Sequence, residues 1–459
     1  MTLDFEAIII GTGQAGPSLA ARMAAAGMRV AIIERKSFGG TCVNTGCVPT
    51  KTLIASAYAA QLARRADEYG VTIEGDVKVD MKRVKGRKDE ISGRSSQGVE
   101  SWLKSLPNCR VIEGHARFES PNSVRVNGEL LRAERIFINV GGRALVPPMP
   151  GLEHVNYLTN STIMDVDFVP EHLIIIGGSY IGLEFGQMYR RFGSQVTIVE
   201  KGARLIARED EDVSQSVFDI LKNEGIGVEV GAECMSVEKR GDRIAIKLDC
   251  ADGKREVIGS HLLLAVGRVP NTDDLGLAKA GVEIDARGYV RVNDQLLTSV
   301  PGIWALGDCN GRGAFTHTSY NDYEIVADNL LSGDHRSVRD RITTYGLFID
   351  PPLGRAGMTE DEIRRTGRQA LVGKRLMTRV SRAVEKGESQ GFIKIVVDAE
   401  TRQILGAAIL GVGGDEAVHS LLDAMYAKAP YTTVQRSVHI HPTVSELLPT
   451  VLGELRPLV

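Results

Sequence analysis

The sequence predicts an α/β fold in which two similar strand–turn–helix units precede a C-terminal region of different pattern. Residues 7–16 (AIIIGTGQAG) and 173–182 (LIIIGGSYIG) share an apolar run, a glycine-rich turn and a following helical pattern. Beyond residue 346, strand-like segments such as GFIKIVVD and ILGAAIL occur with helices but without such a turn. At 459 residues the chain is too long for one hydrophobic core, and about three domains are expected.

The first unit carries a complete dinucleotide-binding fingerprint. Gly11, Gly13 and Gly16 form G-x-G-x-x-G directly after the apolar run, and Glu34 ends the next strand, 23 residues after Gly11. Glycines let the backbone approach a pyrophosphate at a helix N-terminus, where unpaired N–H groups favour negative charge. The acidic residue accepts hydrogen bonds from ribose hydroxyls. A tight strand-to-helix turn without a ligand is the alternative.

The second unit repeats this pattern with one departure. Its turn has the same spacing and consists of Gly177, Ser179 and Gly182. Because Ser179 replaces the middle glycine, the backbone approaches a phosphate less closely. Glu200 ends the next strand, and its carboxylate repels a 2′-phosphate and so favours NADH. Lys201 and Arg204 follow it and soften this preference, which leaves NADPH open. Two units indicate two dinucleotides, and a flavin dinucleotide beside a nicotinamide dinucleotide fits.

A glycine-rich segment at 39–51, GGTCVNTGCVPTK, contains Cys42 and Cys47. A structural disulfide gains little here, because closing so short a loop removes little entropy from the unfolded chain. A zinc site needs two further ligands, and the other four cysteines are scattered singly. Cys47 precedes a helical pattern, where a thiolate is stabilised, and Lys51 follows one helical turn later. The pattern therefore favours a redox pair, and no metal site is predicted.

Composition argues against several classes of partner. The formal net charge is −3 and 25% of residues are charged, so nucleic acid is not expected. The basic run MKRVKGRK at 81–88 is interpreted as a solvated helix face. No apolar run approaches the roughly 18 residues that span a membrane, and the N-terminus begins as a β-strand rather than a signal peptide. A cytoplasmic protein without a membrane partner is predicted.

Proline-containing joints indicate the domain boundaries. The joints are 146–151 (VPPMPG), 266–271 (VGRVPN) and 350–357 (DPPLGRAG). The segment 302–310 (GIWALGDCN) is interpreted as a strand that returns to the first unit. The predicted parts of the chain are 1–148, 149–270, 271–345 and 346–459.

Together these residues resemble the pyridine nucleotide-disulfide oxidoreductases, the FAD-containing family of lipoamide dehydrogenase, glutathione reductase and mercuric reductase. The resemblance covers essentially the whole chain, and GGTCVNTGCVPTK is similar to the family's redox-active disulfide. It implies two Rossmann-like dinucleotide-binding domains plus a C-terminal α+β dimerisation domain. In chain order the four parts are then an FAD-binding part, an NAD(P)-binding domain, a returning FAD-binding part and the interface domain of a homodimer.

The resemblance also implies roles for single residues. Cys47 corresponds to the thiol that faces the flavin, and Cys42 to the thiol that exchanges with substrate. Lys51 resembles the lysine beside flavin N5, and Glu184 in IGLEF resembles its ion-pair partner. Further FAD contacts are expected at Gly40, Thr41, Gly141 and Asp308, and an NAD(P) contact is expected at Gly267.

The segment 441–446, HPTVSE, resembles the family's catalytic histidine and glutamate, which enter the active site of the partner subunit. A histidine oriented by a carboxylate can take the proton when Cys42 becomes a thiolate. His441 and Glu446 are therefore expected to be catalytic. Thr443 and Glu446 are also spaced as a helix-capping box, so a purely structural role stays open.

Details of the sequence distinguish members of the family. The segment FTHTSYNDYEIV differs from the sequence that lipoamide dehydrogenases usually have after the Gly-Asp motif. The C-terminal residues GELRPLV lack the cysteine pair that is typical of mercuric reductases. The chain most resembles mercuric-reductase-like and reactive-chlorine-resistance flavoenzymes. This implies electron transfer from NADH or NADPH through FAD and the cysteine pair to a small disulfide, an oxidant or a thiophilic metal ion such as Hg(II) or Cu(II). Dihydrolipoamide dehydrogenase is one alternative, and a non-catalytic flavoprotein or metal-binding protein is another.

Overall fold

The N-terminal part of the chain folds around a mostly parallel sheet. The structure is a computed structural model that describes residues 2–250 and 253–458, apart from the side chains of residues 234, 249, 250 and 254. The elements are β1 (Thr2–Ile10), α1 (Gly16–Ala25), β2 (Val30–Glu34), α2 (Gly40–Asn44), α3 (Cys47–Arg64), α4 (Met81–Ser105), β3 (Cys109–Glu113), β4 (Arg117–Ser120), β5 (Ser123–Val126), β6 (Glu129–Ile138) and β7 (Gly142–Ala144). In β1, residues Ala7 to Ile10 are all buried, as expected for a strand that is covered on both faces.

The second unit contains a smaller parallel sheet. Its elements are β8 (His172–Ile176), α5 (Tyr180–Phe192), β9 (Gln195–Val199), α6 (Glu211–Asn223), β10 (Gly227–Glu229), β11 (Ala232–Arg240), β12 (Arg243–Cys250), β13 (Gly253–Gly259) and β14 (His261–Leu264). The parallel strands are ordered β10–β9–β8–β14, and β11, β12 and β13 form a separate antiparallel sheet. Both nucleotide units thus have a parallel sheet with their glycine turn at its carboxyl edge.

The segment after the second unit returns to the first sheet. It contains β15 (Arg268–Pro270), α7 (Leu277–Ala280), β16 (Ile303–Ala305) and α8 (Thr316–Leu331). β16 pairs in parallel with β6, which itself pairs in parallel with β1. The first sheet therefore reads β3–β2–β1–β6–β16 in its parallel part, and β5 and β4 continue it antiparallel from the other half of β6.

The C-terminal region forms a six-stranded antiparallel sheet with short helices. Its elements are β17 (Thr344–Leu347), β18 (Leu353–Gly357), α9 (Glu360–Thr366), β19 (Ala370–Leu376), α10 (Ser381–Glu385), β20 (Phe392–Asp398), β21 (Ile404–Leu410), α11 (Gly414–Ala417), α12 (His419–Tyr426), α13 (Thr432–Gln435), α14 (Leu448–Gly453) and β22 (Arg456–Pro457). The strands are ordered β17–β18–β21–β20–β19–β22. The predicted fold class, two dinucleotide-binding units and a C-terminal α+β domain, is confirmed.

A shared hydrophobic cluster fixes α3 between the other parts. Leu53 and Ala57 of α3 pack in one cluster with Leu183 of α5 and with Leu353 and Phe392 of the C-terminal sheet. The N-terminal end of α3 is thereby held beside α5. This packing decides where the cysteine pair lies.

One prediction about the surface is wrong in part. The basic run 81–88 lies at the start of α4, but Lys88 is buried and its ammonium contacts Asp89. The run is therefore not a uniformly solvated face. Among the described helices, none is both long enough and apolar enough to cross a membrane.

Candidate active site

The first glycine turn leaves no room for side chains at two positions. Gly11 has φ +104°, and a Cβ there would lie 2.3 Å from the carbonyl oxygen of Asn139. A Cβ at Gly16 would lie 2.3 Å from the Gly11 oxygen. The Asn139 side chain donates hydrogen bonds to the carbonyls of Gly13, at 3.0 Å, and Gly11, at 3.3 Å. Asn139 thus fixes the turn, and the sequence analysis did not single it out.

The second turn has the same construction. A Cβ at Gly182 would lie 1.9 Å from the Gly177 oxygen, and a Cβ at Gly177 would lie 2.4 Å from the Ala265 oxygen. The Ala265 carbonyl therefore takes the place of the Asn139 carbonyl, although alanine has no amide that could hold the turn as Asn139 does. The strands β6 and β14 both continue into x-Val-Gly, which ends at Gly141 and Gly267, each with positive φ. This third repeated segment, NVG and AVG, marks the end of each strand, but only its first copy has an amide side chain, so the repeat does not identify Asn139.

The two glutamates at the strand ends occupy equivalent positions. Glu34 and Glu200 each accept two backbone hydrogen bonds. One comes from the N–H of the residue that follows the first glycine of the turn, and the other comes from the N–H two residues after the glutamate. The donors are the backbone nitrogens of Thr12, Lys36, Gly178 and Gly202, at 2.9, 2.8, 2.6 and 2.6 Å. Each carboxylate therefore lies at the rim of its turn, where a ribose would bind.

The cysteine segment lies directly on the first turn. Gly40 begins α2 with φ +63°, and a Cβ there would lie 2.8 Å from the Cα of Gly13. Thr41 and Cys42 follow in α2, and Cys47 is the first residue of the 18-residue α3. Cys42 and Cys47 are free thiols that lie close enough to shift each other's pKa. The site therefore joins the first glycine turn to a dithiol.

The two thiols have opposite acidity. The pKa of Cys47 is lowered to about 6, first by the hydrogen bond from Cys42, and also by the Thr316 hydroxyl and the Lys51 charge. Thr316 Oγ1 lies 3.1 Å from the Cys47 sulfur. The pKa of Cys42 is raised, because it donates to Cys47 and is partly buried. A helix N-terminus also favours the thiolate of Cys47, so the first proton leaves this sulfur.

An ion pair borders the dithiol. Lys51 Nζ lies 2.7 Å from Glu184 Oε2, and the Glu184 side chain is only 8% exposed. The other Glu184 oxygen accepts from the Phe348 backbone N–H at 3.0 Å, and Lys51 lies 4.2 Å from the Phe348 ring centroid. Three elements, α3, α5 and the end of β17, thus converge here and hold the ammonium close to Cys47.

Asp308 lies on a single 3₁₀ turn, Gly307–Asn310, after the returning strand β16. Burial raises the pKa of its carboxyl group, and Arg268 opposes this effect from 3.4 Å. The buried carboxylate of Asp322 holds the turn by accepting from Gly307 N at 2.8 Å and Asn310 Nδ2 at 2.9 Å. Asp322, like Thr316, was missed in the sequence analysis, because its partners are set by the packing of α8.

His441 is oriented by Glu446 and faces outward. The distance from Nδ1 to Glu446 Oε2 is 2.8 Å, and the His441 side chain is 74% exposed. Glu446 also donates its backbone N–H to Thr443 Oγ1 at 3.2 Å, which is one of the two hydrogen bonds of a capping box, while its carboxylate is directed to His441. Among the described residues, no hydrogen bond joins His441 to either cysteine of the same chain. Val438 and Ile440 beside it are 100% and 80% exposed.

Comparison with known proteins gives the family. A family model described as pyridine nucleotide-disulphide oxidoreductase matches residues 5–322, and the model of that family's dimerisation domain matches residues 343–452. The chain is 35% identical over 452 residues to a probable pyridine nucleotide-disulfide oxidoreductase, RclA, of Escherichia coli K12, which covers 97% of this chain and 98% of the relative. It is 32% identical over 446 residues to a dihydrolipoyl dehydrogenase of Thermus scotoductus, and the alignment covers 96% of this chain and 95% of the relative.

A mercuric reductase and a solved structure complete the comparison. The mercuric reductase of Lysinibacillus sphaericus is 32% identical over 451 residues, covering 95% of this chain and 82% of the relative. The solved Cu(II) complex of the HOCl-induced flavoprotein disulfide reductase RclA from Escherichia coli superimposes with a TM-score of 0.90 at 34% identity, covering 98% and 99% of the two chains. The chain therefore belongs to the pyridine nucleotide-disulfide oxidoreductases and is an enzyme of the flavoprotein disulfide reductase type.

Proposed function

We propose that the protein is an FAD-dependent NAD(P)H oxidoreductase that uses Cys42 and Cys47 to reduce a small disulfide, an oxidant or a thiophilic metal ion. Hg(II) and Cu(II) are the metal ions proposed as substrates. The observation that carries the proposal is the low-pKa thiol of Cys47, which begins α3 beside the Lys51–Glu184 pair. The likeness to a reductase solved as a Cu(II) complex supports the metal-ion branch.

The residues present fit FAD. Gly11, Gly13 and Gly16 of the first turn have no side chains, so a pyrophosphate can approach their backbone. The Glu34 carboxylate beside this turn can accept hydrogen bonds from a ribose. The partly buried carboxylate of Asp308 suits a hydroxyl-bearing chain. We assign FAD to these residues together with Gly40, Thr41, Lys51 and Gly141. We assign the nicotinamide nucleotide to Gly177, Ser179, Gly182, Glu200 and Gly267.

When bound, FAD supplies the two-electron chemistry that connects a nicotinamide with a disulfide. The chain's own residues supply the thiol chemistry. Cys47 holds a thiolate that the Lys51 ammonium stabilises, while Cys42 keeps its proton until exchange begins. The imidazole of His441, oriented by Glu446, takes that proton and makes Cys42 a nucleophile.

The proposed domain division is 1–148 and 271–345 for FAD, 149–270 for the nicotinamide nucleotide, and 346–459 for the interface. The pairing of β16 with β6 supports the return of the third part to the first. We propose a homodimer in which His441 enters the partner's active site, since His441 and Ile440 face outward. A cytoplasmic location is proposed because a dithiol that opens and closes works where thiols are kept reduced.

The proposal is tested by anaerobic titration of the holoenzyme with NADH or NADPH. The expected result is a long-wavelength absorption band that arises from the Cys47 thiolate beside the flavin. This band should be absent in Cys47→Ser and present in the matched control Cys109→Ser. Cys109 lies in β3 and is also a free thiol. A screen of small disulfides, Hg(II) and Cu(II) then identifies the acceptor. Absence of the band, or its persistence in Cys47→Ser, would contradict the proposal.

The absorbance of the long-wavelength thiolate-to-flavin band is expected to depend on pH, with a midpoint near the Cys47 pKa of about 6. Because this pKa is lowered, the thiolate is present above the midpoint and is protonated below it, so the band fades as the pH falls. A free cysteine would give a midpoint near 8.5 instead. The measurement is the band's absorbance in reduced holoenzyme from pH 4.5 to pH 9, as about ten samples at equal ionic strength. Lys51→Met is expected to move the midpoint upward, and an unshifted wild-type midpoint near that of free cysteine would refute the assignment.

NADH is expected to be preferred to NADPH by at least about tenfold in kcat/KM, because Glu200 places a carboxylate where a 2′-phosphate would bind. Arg204 does not compensate, since its Nη2 is engaged by the carbonyls of Ala207, at 3.2 Å, and Glu209, at 3.0 Å. Glu200→Gln removes the charge and keeps one of the two oxygens that accept from the N–H groups of Gly178 and Gly202, and it should reduce the preference about tenfold. Lys239→Ala, at an exposed lysine of β11 in the same unit, is the control, with a change of less than about twofold. A wild-type preference for NADPH would contradict the role of Glu200.

Dihydrolipoamide dehydrogenase is the second candidate, favoured by the 32% identity to the Thermus scotoductus enzyme. Steady-state assay with dihydrolipoamide and NAD⁺ separates the two. The first candidate requires dihydrolipoamide to be turned over more slowly than the best disulfide or metal-ion acceptor.

A further inference from the structure

Three aromatic rings lie between the second glycine turn and the dithiol. We call Tyr180, Phe315 and Tyr345 the aromatic cluster. Their ring centroids are 5.4 Å apart for Tyr180–Tyr345, 6.1 Å for Tyr180–Phe315 and 5.6 Å for Phe315–Tyr345. The three residues come from three parts of the chain: the start of α5, the residue before α8, and β17.

The cluster touches both halves of the proposed reaction. Tyr180 directly follows Ser179 in the second turn, and Glu184 lies one helical turn further along α5, on the same face. Phe315 directly precedes Thr316, whose hydroxyl contacts the Cys47 sulfur. A nicotinamide nucleotide held by the second turn would therefore lie beside the Tyr180 ring.

A buried carboxylate that is not part of the aromatic cluster holds one of its rings by a hydrogen bond. The Tyr345 hydroxyl donates to Glu209 Oε1 at 2.5 Å, and Glu209 is 1% exposed. The second Glu209 oxygen lies 3.7 Å from Arg355 Nη1, and Arg355 is 2% exposed. Glu209 precedes α6 in the second unit, whereas Tyr345 and Arg355 belong to the C-terminal sheet. One hydrogen bond thus connects β17, the first strand of the C-terminal sheet, with the proposed nucleotide site.

The rest of the ionic network holds Glu209 in place. Lys394 Nζ contacts carboxylates of Asp210, Asp212 and Glu360 at 2.9, 2.7 and 2.8 Å. Asp210 also accepts from Arg355 at 3.4 Å. Glu209 is 1% exposed, and Arg355, which it faces, is itself held by Asp210. Among the described residues the second Glu209 oxygen accepts no hydrogen bond, so burial and this ion pair are what leave Glu209 little freedom to follow a displaced Tyr345. The Tyr345 hydroxyl is therefore held to one position.

We propose that Tyr345 and Glu209 are positioning residues for the reducing nucleotide, acting through the ring of Tyr180. The inference rests on the proposed function, since it takes the second turn as the nicotinamide nucleotide site. It extends that function by giving residues of the C-terminal sheet a part in nucleotide binding. Tyr345 and Glu209 themselves do not react.

Tyr345→Phe is the variant that tests the inference, because it removes only the hydroxyl. The expected result is a dissociation constant for NAD⁺ raised about fivefold to tenfold in oxidised holoenzyme, measured by calorimetry without turnover. KM for NADH should rise by the same factor, while kcat with a saturating acceptor changes less than about twofold. Glu209→Gln keeps an oxygen acceptor for Tyr345, so it should weaken NAD⁺ binding less than Glu209→Ala does.

Tyr58→Phe is the matched control. Tyr58 of α3 donates to Glu388 Oε1 at 2.8 Å, so it also links a nucleotide-binding part to the C-terminal domain through a hydroxyl and a carboxylate. NAD⁺ affinity unchanged in Tyr58→Phe and lowered in Tyr345→Phe supports the inference. Wild-type affinity in Tyr345→Phe, or an equal loss in both variants, overturns it. Wild-type holoenzyme that binds no NAD⁺ and is not reduced by NADH would overturn the proposed function as well.

Discussion

Replacing Cys42 with serine is expected to abolish turnover with disulfides and thiophilic metal ions, lowering kcat by at least about a thousandfold. The reason is that the variant has no partner sulfur with which Cys47 can form a disulfide, so the two-electron step at the dithiol has no product. Binding of FAD and NAD⁺ should stay close to wild type, because Cys42 lies in α2, outside both glycine turns. Anaerobic stopped-flow absorbance separates flavin reduction by NADH, which persists, from acceptor reduction, which stops.

The control for this variant is its own Cys47 thiolate. Cys42→Ser removes the hydrogen bond that contributes first to the low Cys47 pKa, but Lys51, Thr316 and the helix N-terminus remain. The thiolate band is therefore expected in the oxidised variant at neutral pH, with its midpoint shifted upward. Substantial acceptor turnover in Cys42→Ser would show that electrons leave by a route that bypasses the cysteine pair.

The same variant tests the placement of His441. In a dimer whose active site takes His441 from the partner, Cys42→Ser and His441→Gln subunits can form a mixed dimer. One site of this dimer then has an intact cysteine pair and an intact histidine. Co-expression is expected to restore about half of the wild-type activity per mixed dimer, although each homodimer is inactive or nearly so. Lack of restoration, with mixed dimers shown by two affinity tags, would place His441 in its own subunit's site.

Local spacing in the sequence was enough to predict much of the fold and part of the site. The glycine turns, the strand-ending glutamates and the position of Cys47 at a helix start depend on residues within about 25 positions of one another, where backbone geometry is set locally. The ion pair of Lys51 and Glu184 spans 133 residues, and it was expected only from the resemblance to a family.

The residues that were missed act across distant segments. Asn139 reaches the carbonyl of Gly13 over 126 residues, and Thr316 reaches Cys47 over 269. No single-sequence pattern marks a side chain whose partner is chosen by sheet order or by the packing of α8. Lys88 shows the same limit, because whether a lysine on α4 is solvated depends on what packs against that helix.

Gly16→Ala is expected to yield protein without flavin, and Gly182→Ala to yield flavin-containing protein that no longer binds NAD⁺. In both variants the added Cβ meets a backbone oxygen of the same turn, at 2.3 Å for Gly16 and 1.9 Å for Gly182. Backbone cannot rotate away as a flexible side chain can, so the turn must open. Overpacking of this kind costs typically about 1–3 kcal/mol and displaces the N–H groups that a pyrophosphate needs.

Flavin content by absorbance and NAD⁺ affinity by calorimetry distinguish the two sites. Gly98→Ala is the control, because this glycine lies within α4 with no atom within 4 Å of an added Cβ, and alanine favours a helix. It should retain both nucleotides and lose no stability. If Gly16→Ala lost NAD⁺ binding and kept its flavin, the assignments of the two turns would be exchanged. If Gly182→Ala bound NAD⁺ normally, the second turn would hold no dinucleotide, because a phosphate cannot tolerate so close an intrusion without a change in affinity.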